Sequence, residues 1–291
     1  MCNGTLGSLK GKWNYLSNHP GFRQGPALTL SRLISWRARC ALGIPATIDL
    51  PTWGVQMFLP PKWTGAGTTM IYAVRETYEP ELTYLGRFVS AGNVVVDAGA
   101  SCGIYTLAAS KLVMDSGRVF SFEPGAESFS VLKRNVELNG LRNVRPFPVA
   151  LSDTEGKARL HHHPHGPNSF SLGAHADWSG SFEETETTSL DRVAEQERID
   201  RVDLLKMDVE GAEELVLRGA RSLLTTNRPV VIFEVNPKAA RRLGLSADGA
   251  WDLMGKLGYH FHRLNGVGSL SKLEFPPHGG NVVAIHPRSG K

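Results

Sequence analysis

The residues in this sequence best suited to chemistry are carboxylates and glycines that stand where predicted strands end. The apolar run Val94 to Val96 is typical of a central parallel strand that is buried on both faces. This strand ends at Asp97, and a small-residue turn with Gly99, Ser101 and Gly103 follows. Because a strand, a glycine turn and a helix form a pocket at the carboxyl end of a sheet, this segment predicts a nucleotide-binding site.

The spacing of the turn argues against a dinucleotide. The dinucleotide fingerprint is G-x-G-x-x-G, whose second glycine lets a pyrophosphate lie on the helix N-terminus. Here Asp97 precedes Gly99, and the next glycine is Gly103. A carboxylate repels phosphate but suits a cationic ligand, so the expected ligand is S-adenosylmethionine, which carries a sulfonium and an ammonium group. The structural alternative is a glycine turn that holds a helix against the sheet.

Three neighbouring segments supply the remaining candidate cofactor contacts. Glu123 and Pro124 end the next strand, and Glu123 follows Gly99 at close to the roughly twenty residues expected of an acid that binds ribose hydroxyls. Ser152 ends a third strand and is expected beside the adenine. Glu76 and Tyr78, which precede the central strand, are candidates to cover the ligand, although a helix-capping role is equally open for the acid.

Two later strand ends supply candidate catalytic residues. Asp208 and Glu210 follow the strand predicted over 202–207, and Glu234 lies near the end of the strand predicted over 230–235. An alcohol acceptor loses a proton as it is methylated, and a positioned base contributes roughly 10²–10⁴-fold to the rate. We expect Asp208 to orient donor and acceptor, and Glu210 or Glu234 to be the base or to bind the acceptor hydroxyl. For Glu210 the structural alternative is stabilisation of a helix start.

The elements that position these residues alternate between strands and helices. Short joints between them predict an α/β fold, a doubly wound and mostly parallel seven-stranded sheet. We expect a catalytic domain over 71–291, interrupted by a β-hairpin insertion at 157–190, and a lid in the Gly- and Pro-rich segment 265–281. Residues 1–70 are predicted to form an N-terminal extension with one helix and two short strands.

Histidines in the predicted insertion raise the question of a metal. His161 and His163 share one face of a strand, and His162 and His165 lie beside them. A third ligand such as His175 would have to come from elsewhere, and no carboxylate or cysteine stands at ligand spacing. The sequence therefore favours a polar hairpin that helps cover the acceptor, with no metal in the predicted site.

Positive charge is concentrated in the N-terminal extension. Residues 1–48 contain six Lys and Arg and no Asp or Glu, whereas the whole chain has a net charge of +4. One interpretation is a weak contact with anionic lipid or with a phosphate-bearing substrate. The favoured one is a helix over 27–41 that packs on the main domain with solvated arginines. No nucleic-acid partner is expected, because the segment lacks interleaved aromatic and arginine residues.

Composition gives an expectation about the compartment. No apolar run reaches the roughly 18 residues needed to span a bilayer, and the first residues lack a secretion-signal pattern. The 3 cysteines are odd in number and widely spaced, which favours a reducing environment. The chain is therefore expected to be cytoplasmic.

Five of these segments, in order, resemble the FkbM-type methyltransferases. The most specific is Lys-x-Asp-x-Glu-Gly-x-Glu, which begins at Lys206; the others are Val95–Ala100, Phe122–Pro124, Asn135–Gly140 and Ile232–Glu234. The resemblance implies a Rossmann-like class I methyltransferase fold, S-adenosylmethionine as donor, and a small-molecule hydroxyl acceptor on a sugar, glycoside or other secondary metabolite. Ser101 and Cys102 stand where the family commonly has an asparagine followed by an aliphatic residue. This departure affects the contacts expected to the methionine part of the donor, not the fold.

Two other functions stay open at this stage. One is an N-methyltransferase or a nicotinamide-dependent sugar enzyme on a similar sheet, and the missing dinucleotide fingerprint counts against the latter. The other is a non-catalytic binding protein that keeps the fold and docks through its basic N-terminus. The sequence leaves the oligomeric state open, with a homodimer among the alternatives.

Overall fold

The fold is organised around an eight-stranded sheet in a computed structural model that describes residues 13–63, 67–163, 166–172 and 181–288. The described strands are β1 (Ala46–Leu50), β2 (Val55–Leu59), β3 (Val94–Ala98), β4 (Arg118–Phe122), β5 (Val144–Phe147), β6 (Val149–Leu151), β7 (Gly156–His163), β8 (Gly166–Ser171), β9 (Phe182–Thr188), β10 (Leu204–Met207), β11 (Val230–Val235), β12 (His260–Leu264), β13 (Leu270–Leu273) and β14 (Gly280–Ile285). The α-helices in the described residues include α1 (Pro20–Gln24), α2 (Pro26–Ala41), α3 (Thr68–Val74), α4 (Pro80–Thr83), α5 (Ile104–Val113), α6 (Ala126–Leu138), α7 (Leu190–Glu197), α8 (Glu213–Arg218), α9 (Arg221–Thr226), α10 (Pro237–Arg242) and α11 (Gly249–Lys256), with 3₁₀ turns at Arg75–Thr77 and Leu85–Arg87.

The large sheet is doubly wound, as predicted. Its strand order is β13-β12-β14-β11-β10-β3-β4-β5, and the five strands from β11 to β5 are parallel. The chain moves outward from β3 through β4 to β5 and then returns to β10 on the other side of β3. This reversal creates a switch point between β3 and β10, where open α/β sheets bind their ligands.

Three sequence predictions about the strands are wrong in detail. The large sheet has eight strands rather than seven, because β13 pairs antiparallel with β12 at the edge. That strand lies inside the predicted lid, 265–281, and no residue of this segment lines the main cavity described below. The predicted third strand is divided into β5 and β6 at Pro148, which has no N–H to continue a ladder.

The predicted hairpin insertion belongs to a second, four-stranded sheet. Its order is β6-β9-β7-β8, and β7 pairs antiparallel with both β8 and β9. Because β6 follows β5 directly, this sheet begins at the end of the large one. It contributes Leu160 and Leu172 to the cavity between the sheets.

The N-terminal extension packs on the same core as the large sheet. The hairpin of β1 and β2 buries alternate residues, as its period-2 pattern requires, and these join a cluster with Val95 of β3. Trp36 of α2 is fully buried and stacks on Tyr72 of α3, with ring centroids 4.7 Å apart. The helix α3 runs across the proposed boundary at residue 70, and the boundary itself stays a prediction. Among the described residues, no helix is both long and apolar enough to cross a bilayer.

Asn135 of α6 joins the hairpin to the glycine turn. Its Oδ1 accepts from Phe58 N at 2.6 Å, and its Nδ2 donates to Phe58 O at 3.1 Å and to Cys102 O at 2.8 Å. The side chain is fully buried. One amide therefore satisfies backbone groups of two separate segments.

We predict that Asn135→Ala lowers the free energy of unfolding by about 2–4 kcal/mol, because it leaves buried backbone groups without partners. Chemical denaturation measures this difference. The control is Glu137→Ala on the same helix, whose side chain is 66% exposed and which should change stability by about 0.5 kcal/mol or less. Equal stabilities for the two variants would contradict the role given to Asn135.

Candidate functional site

A cavity of about 1120 Å³, part of it open to solvent, lies at the carboxyl ends of β3, β4 and β10. Seven of the sequence-predicted site residues line it: Tyr78, Gly99, Ser101, Glu123, Pro124, Asp208 and Glu210. The structure thus brings together residues from four separate segments of the chain.

The glycine turn is held against the end of β10. Gly99 has a φ of +75°, and a Cβ placed there would lie 1.9 Å from the carbonyl oxygen of Asp208. No side chain fits at this position, so the glycine allows the two loops to meet. Ser101 also has a positive φ, +49°, which is uncommon for a residue with a side chain.

Glu123 is fixed beside this turn by two backbone donors. Its Oε2 accepts from Ser101 N at 2.7 Å and its Oε1 accepts from Gly125 N at 2.9 Å. The residue is only 4% exposed, and burial raises the pKa of its carboxyl to about 7 despite the two donors. A carboxyl group held in this way keeps lone pairs that can accept from hydroxyl groups of a ligand in the cavity.

Asp97, predicted to help bind the ligand, does not line the cavity. The residue is 1% exposed, and its Oδ2 accepts from Thr106 Oγ1 at 2.7 Å. Its Oδ1 lies 3.9 Å from Lys206 Nζ. Asp97 is therefore a partner of a buried lysine beneath the cavity floor.

Lys206 is the cation at the centre of this arrangement. Its Nζ lies 3.7 Å from Asp208 Oδ2 and 4.7 Å from the centre of the Tyr105 ring. Burial disfavours the charged ammonium, but the neighbouring carboxylates, Asp208 and Asp97 first, outweigh it and raise the pKa of Lys206. The lysine thus stays charged and lines the cavity.

Glu79 is a cavity residue that the sequence did not single out. Its Oε2 accepts from Tyr105 Oη at 2.6 Å and from Asn281 Nδ2 at 3.2 Å. Burial raises the pKa of this carboxyl, against the opposing charge of Lys206. The sequence carried one signal for Lys206, a charged residue inside the apolar strand β10. It carried none for Glu79, which precedes a proline as helix-capping acids do.

The three predicted catalytic acids divide between two cavities. Asp208 and Glu210 line the main cavity, whereas Glu234 lines a smaller neighbouring one. Burial, followed by the charge of Asp208, raises the pKa of Glu210 to about 7 and that of Glu234 to about 8. Glu210 has a φ of +53°, a strained backbone that is tolerated at functional turns.

Glu213, in the same segment, has a structural role. Its Oε1 accepts from Val209 N at 3.1 Å and from Gly211 N at 3.4 Å, and the side chain is buried. It therefore closes the turn that carries Glu210. Burial raises the pKa of Glu213 to about 8.

Three other predicted cofactor contacts also lie outside the main cavity lining. Glu76 accepts from Thr52 N at 3.2 Å and so holds the turn between β1 and β2. Gly103 begins α5, where a Cβ would lie 2.6 Å from Leu132 Cδ1, so this glycine serves helix packing. Ser152 is buried, and its N donates to Thr188 O at 2.9 Å in the second sheet.

The histidine segment has no metal-binding group among the residues that the structure describes. His162 lies 3.5 Å from Glu183 and the ring of His161 lies against that of Phe182. His165, His175 and the side chain of His163 lie outside the described part of the chain.

Most of the known proteins that this chain resembles are named as methyltransferases. The model of the methyltransferase FkbM domain matches residues 97–261, which is more than half of the chain. "Methyltransferase 1" of Beauveria bassiana is 30% identical over 143 residues, which cover 43% of this chain and 57% of that protein. The 2-O-methyltransferase NoeI of Sinorhizobium fredii is 30% identical over 129 residues, 38% of this chain and 51% of its own length.

Among solved structures, a methyltransferase FkbM from Methylobacillus flagellatus has a TM-score of 0.43 at 15% identity, over 75% of this chain and 53% of that chain. The matched region spans little more than half the length of the two relatives.

We predict that Glu213→Gln flattens the dependence of stability on pH. Between the ordinary pKa of 4.5 and the raised value of about 8, the folded protein retains a proton that the unfolded chain has released. Stability therefore falls as pH rises, by up to about 1.4 kcal/mol per pH unit for this group. The variant keeps an acceptor oxygen and loses this slope.

Urea denaturation at pH 6 and pH 8 measures the slope. Glu195→Gln, whose side chain is 74% exposed, is the control and should retain the wild-type slope. If Glu213→Gln and the wild type lose equal stability over this interval, Glu213 is charged in the folded protein.

Proposed function

Because this chain belongs to the FkbM methyltransferase family, we propose that it transfers a methyl group from S-adenosylmethionine to a hydroxyl group of a small molecule, a sugar, glycoside or other secondary metabolite. The doubly wound sheet is consistent with the Rossmann-like fold expected for this family. The cavity lies at the sheet's switch point, where such folds bind nucleotides.

The observation that carries the donor assignment is the buried Glu123 beside the glycine turn. Its oxygens face a cavity and are oriented by Ser101 N and Gly125 N, an arrangement suited to two adjacent ribose hydroxyls. The charge of the site also fits a cationic donor, because Glu79 and Asp208 line the cavity and Lys206 is the cation between them. When bound, S-adenosylmethionine supplies an electrophilic methyl group on a positively charged sulfur.

Glu210 is the proposed base for the acceptor hydroxyl. It lines the cavity, and a pKa of about 7 lets its carboxylate take a proton near neutral pH. Asp208, held near Lys206, would orient the two reactants, and orientation of this kind can supply about 7–11 kcal/mol. The relative NoeI, named as a 2-O-methyltransferase, supports a hydroxyl acceptor.

An amine acceptor is the second candidate. The carboxyl groups of Glu79, Asp208 and Glu210 outnumber the single ammonium of Lys206 in the cavity lining, and such a group would also attract a protonated amine. Mass spectrometry of the methylated product separates the candidates, because O-methyl and N-methyl groups fragment differently.

The donor assignment predicts tight binding of S-adenosylhomocysteine and none of NAD, measured by calorimetry. Glu123→Gln should weaken S-adenosylhomocysteine binding by about 10–100-fold, because hydrogen bonds to a charged acceptor are worth about 1.5–3 kcal/mol. Glu127→Gln is the control, since that side chain is 50% exposed and pairs with Lys62. Unchanged affinity in Glu123→Gln would remove the residue from the donor site.

The base assignment predicts that Glu210→Gln lowers kcat/KM by about 10²–10⁴-fold above pH 7 while S-adenosylhomocysteine still binds. In the wild type, kcat/KM should rise with pH up to about 7 as Glu210 loses its proton, and the variant should lack this rise. Glu234→Gln is the comparison, with an expected loss below about tenfold, since Glu234 lines the neighbouring cavity. The opposite ranking would assign the base to Glu234.

A further inference from the structure

The outward face of α2 is apolar and exposed. Ile34 and Leu42 are each 72% exposed, Leu28 is 54% exposed and Leu30 is 39% exposed. At 100° per residue, these side chains, the alanines between them and the two serines Ser31 and Ser35 cover an arc of roughly 160° that contains no charged residue. Single exposed apolar residues are ordinary, but a contiguous set of this kind marks an interaction surface.

The inward face of α2 fixes this orientation. Thr29 and Trp36 are buried, and Trp36 Nε1 donates to Thr69 Oγ1 at 3.2 Å. Arg32 also points inward, and its Nη1 donates to Ala73 O at 3.1 Å. The apolar arc is therefore held facing away from the core.

Arginines flank the arc on both sides. Arg37 stands at one edge, where its guanidinium carbon lies 5.3 Å from the ring centre of Trp63, which is 42% exposed. Arg39 lies at the other edge and donates to Pro45 O at 2.9 Å. An apolar face bordered by arginines and an exposed tryptophan is the composition of helices that lie in a membrane interface.

We propose that α2 docks on the surface of an anionic lipid bilayer, with its apolar arc at the boundary between headgroups and acyl chains and Arg37 and Arg39 among the phosphates. The charge of the segment selects this occupant. Arg37 and Arg39 border the face and residues 1–48 contain no acid, so two copies of this face would offer no carboxylate to pair with these arginines, whereas an anionic headgroup layer attracts them. The inference is independent of the proposed catalytic function.

Docking through α2 also has a consequence for the cavity. The helix α3, on which α2 packs, contributes Ile71 to the cavity lining. Docking would therefore leave both helices, each about 10 Å across, between the bilayer surface and the cavity.

The test is co-sedimentation of the full chain with two kinds of vesicle, phosphatidylcholine alone and phosphatidylcholine with about 30% phosphatidylserine, at about 0.1 M salt. The wild type should bind the anionic vesicles at least about tenfold more tightly, and about 0.5 M salt should weaken this binding. The double variant Ile34→Glu, Leu42→Glu should lose at least about tenfold in binding while its melting curve is unchanged.

Phe275→Glu is the matched control, since Phe275 is 80% exposed and lies outside α2. It should bind as the wild type does. Equal binding of the double variant and the wild type, or no preference for the anionic vesicles, would overturn the proposal. A wild-type dimer in light scattering that the double variant converts to a monomer, without vesicle binding, would assign the face to a second copy instead.

Discussion

The site depends on one buried charge, the ammonium of Lys206. The parallel pairing of β10 with β3 sets Lys206 opposite Asp97 in register, in the interior of the sheet. A buried ammonium is tolerated only with carboxylate partners, and loss of one member of such a group costs about 3–5 kcal/mol. Asp97 and Asp208 supply these partners from the ends of neighbouring strands. The requirement to neutralise the lysine therefore fixes both carboxylates, one beneath the cavity and one at its edge.

The glycine turn follows from the same arrangement. With Asp208 drawn toward Lys206, its backbone carbonyl comes so close to the turn after β3 that only a glycine fits at position 99. The turn then directs Ser101 N at Glu123, which orients the carboxyl group at the end of β4. The ion pairs of Lys206 therefore determine, through the packing of the backbone, how the polar groups that line the cavity are oriented. Such a site is formed before anything binds, which reduces the cost of ordering it.

Much of this fold could be predicted from the sequence, because buried parallel strands are continuous apolar runs. The bounds of β11 were predicted to the residue, and Glu123 was singled out from its position at a strand end. A strand end locates a residue along the chain but not the direction of its side chain, so the sequence did not show that Asp97 lies near Lys206 and outside the cavity lining. β13 was missed because an edge strand with Ser271 and Lys272 lacks the apolar pattern of a buried one.

Contacts between distant segments lay beyond the sequence altogether. Glu79 accepts hydrogen bonds from Tyr105 and from Asn281, which belong to opposite halves of the chain. No local pattern links these three residues, and only the closing of the sheet brings β14 beside the segment before β3. The split between Glu210 and Glu234 is of the same kind, since Glu210 follows β10 and Glu234 lies near the end of the neighbouring β11, yet the two line different cavities.

The raised pKa values around the cavity have one physical origin. A single ammonium cannot neutralise the carboxyl groups near it, so burial and mutual repulsion raise the pKa of Glu79, Glu210 and Glu234, and part of the group holds protons near neutral pH. A ligand cation that enters the cavity neutralises these carboxyl groups as the protons do, and the protons are then released. By linkage, cation binding then releases protons and strengthens as pH rises through these pKa values. The proton lost from Glu210 in this way leaves a carboxylate in the cavity lining, which is the form that the proposed base needs.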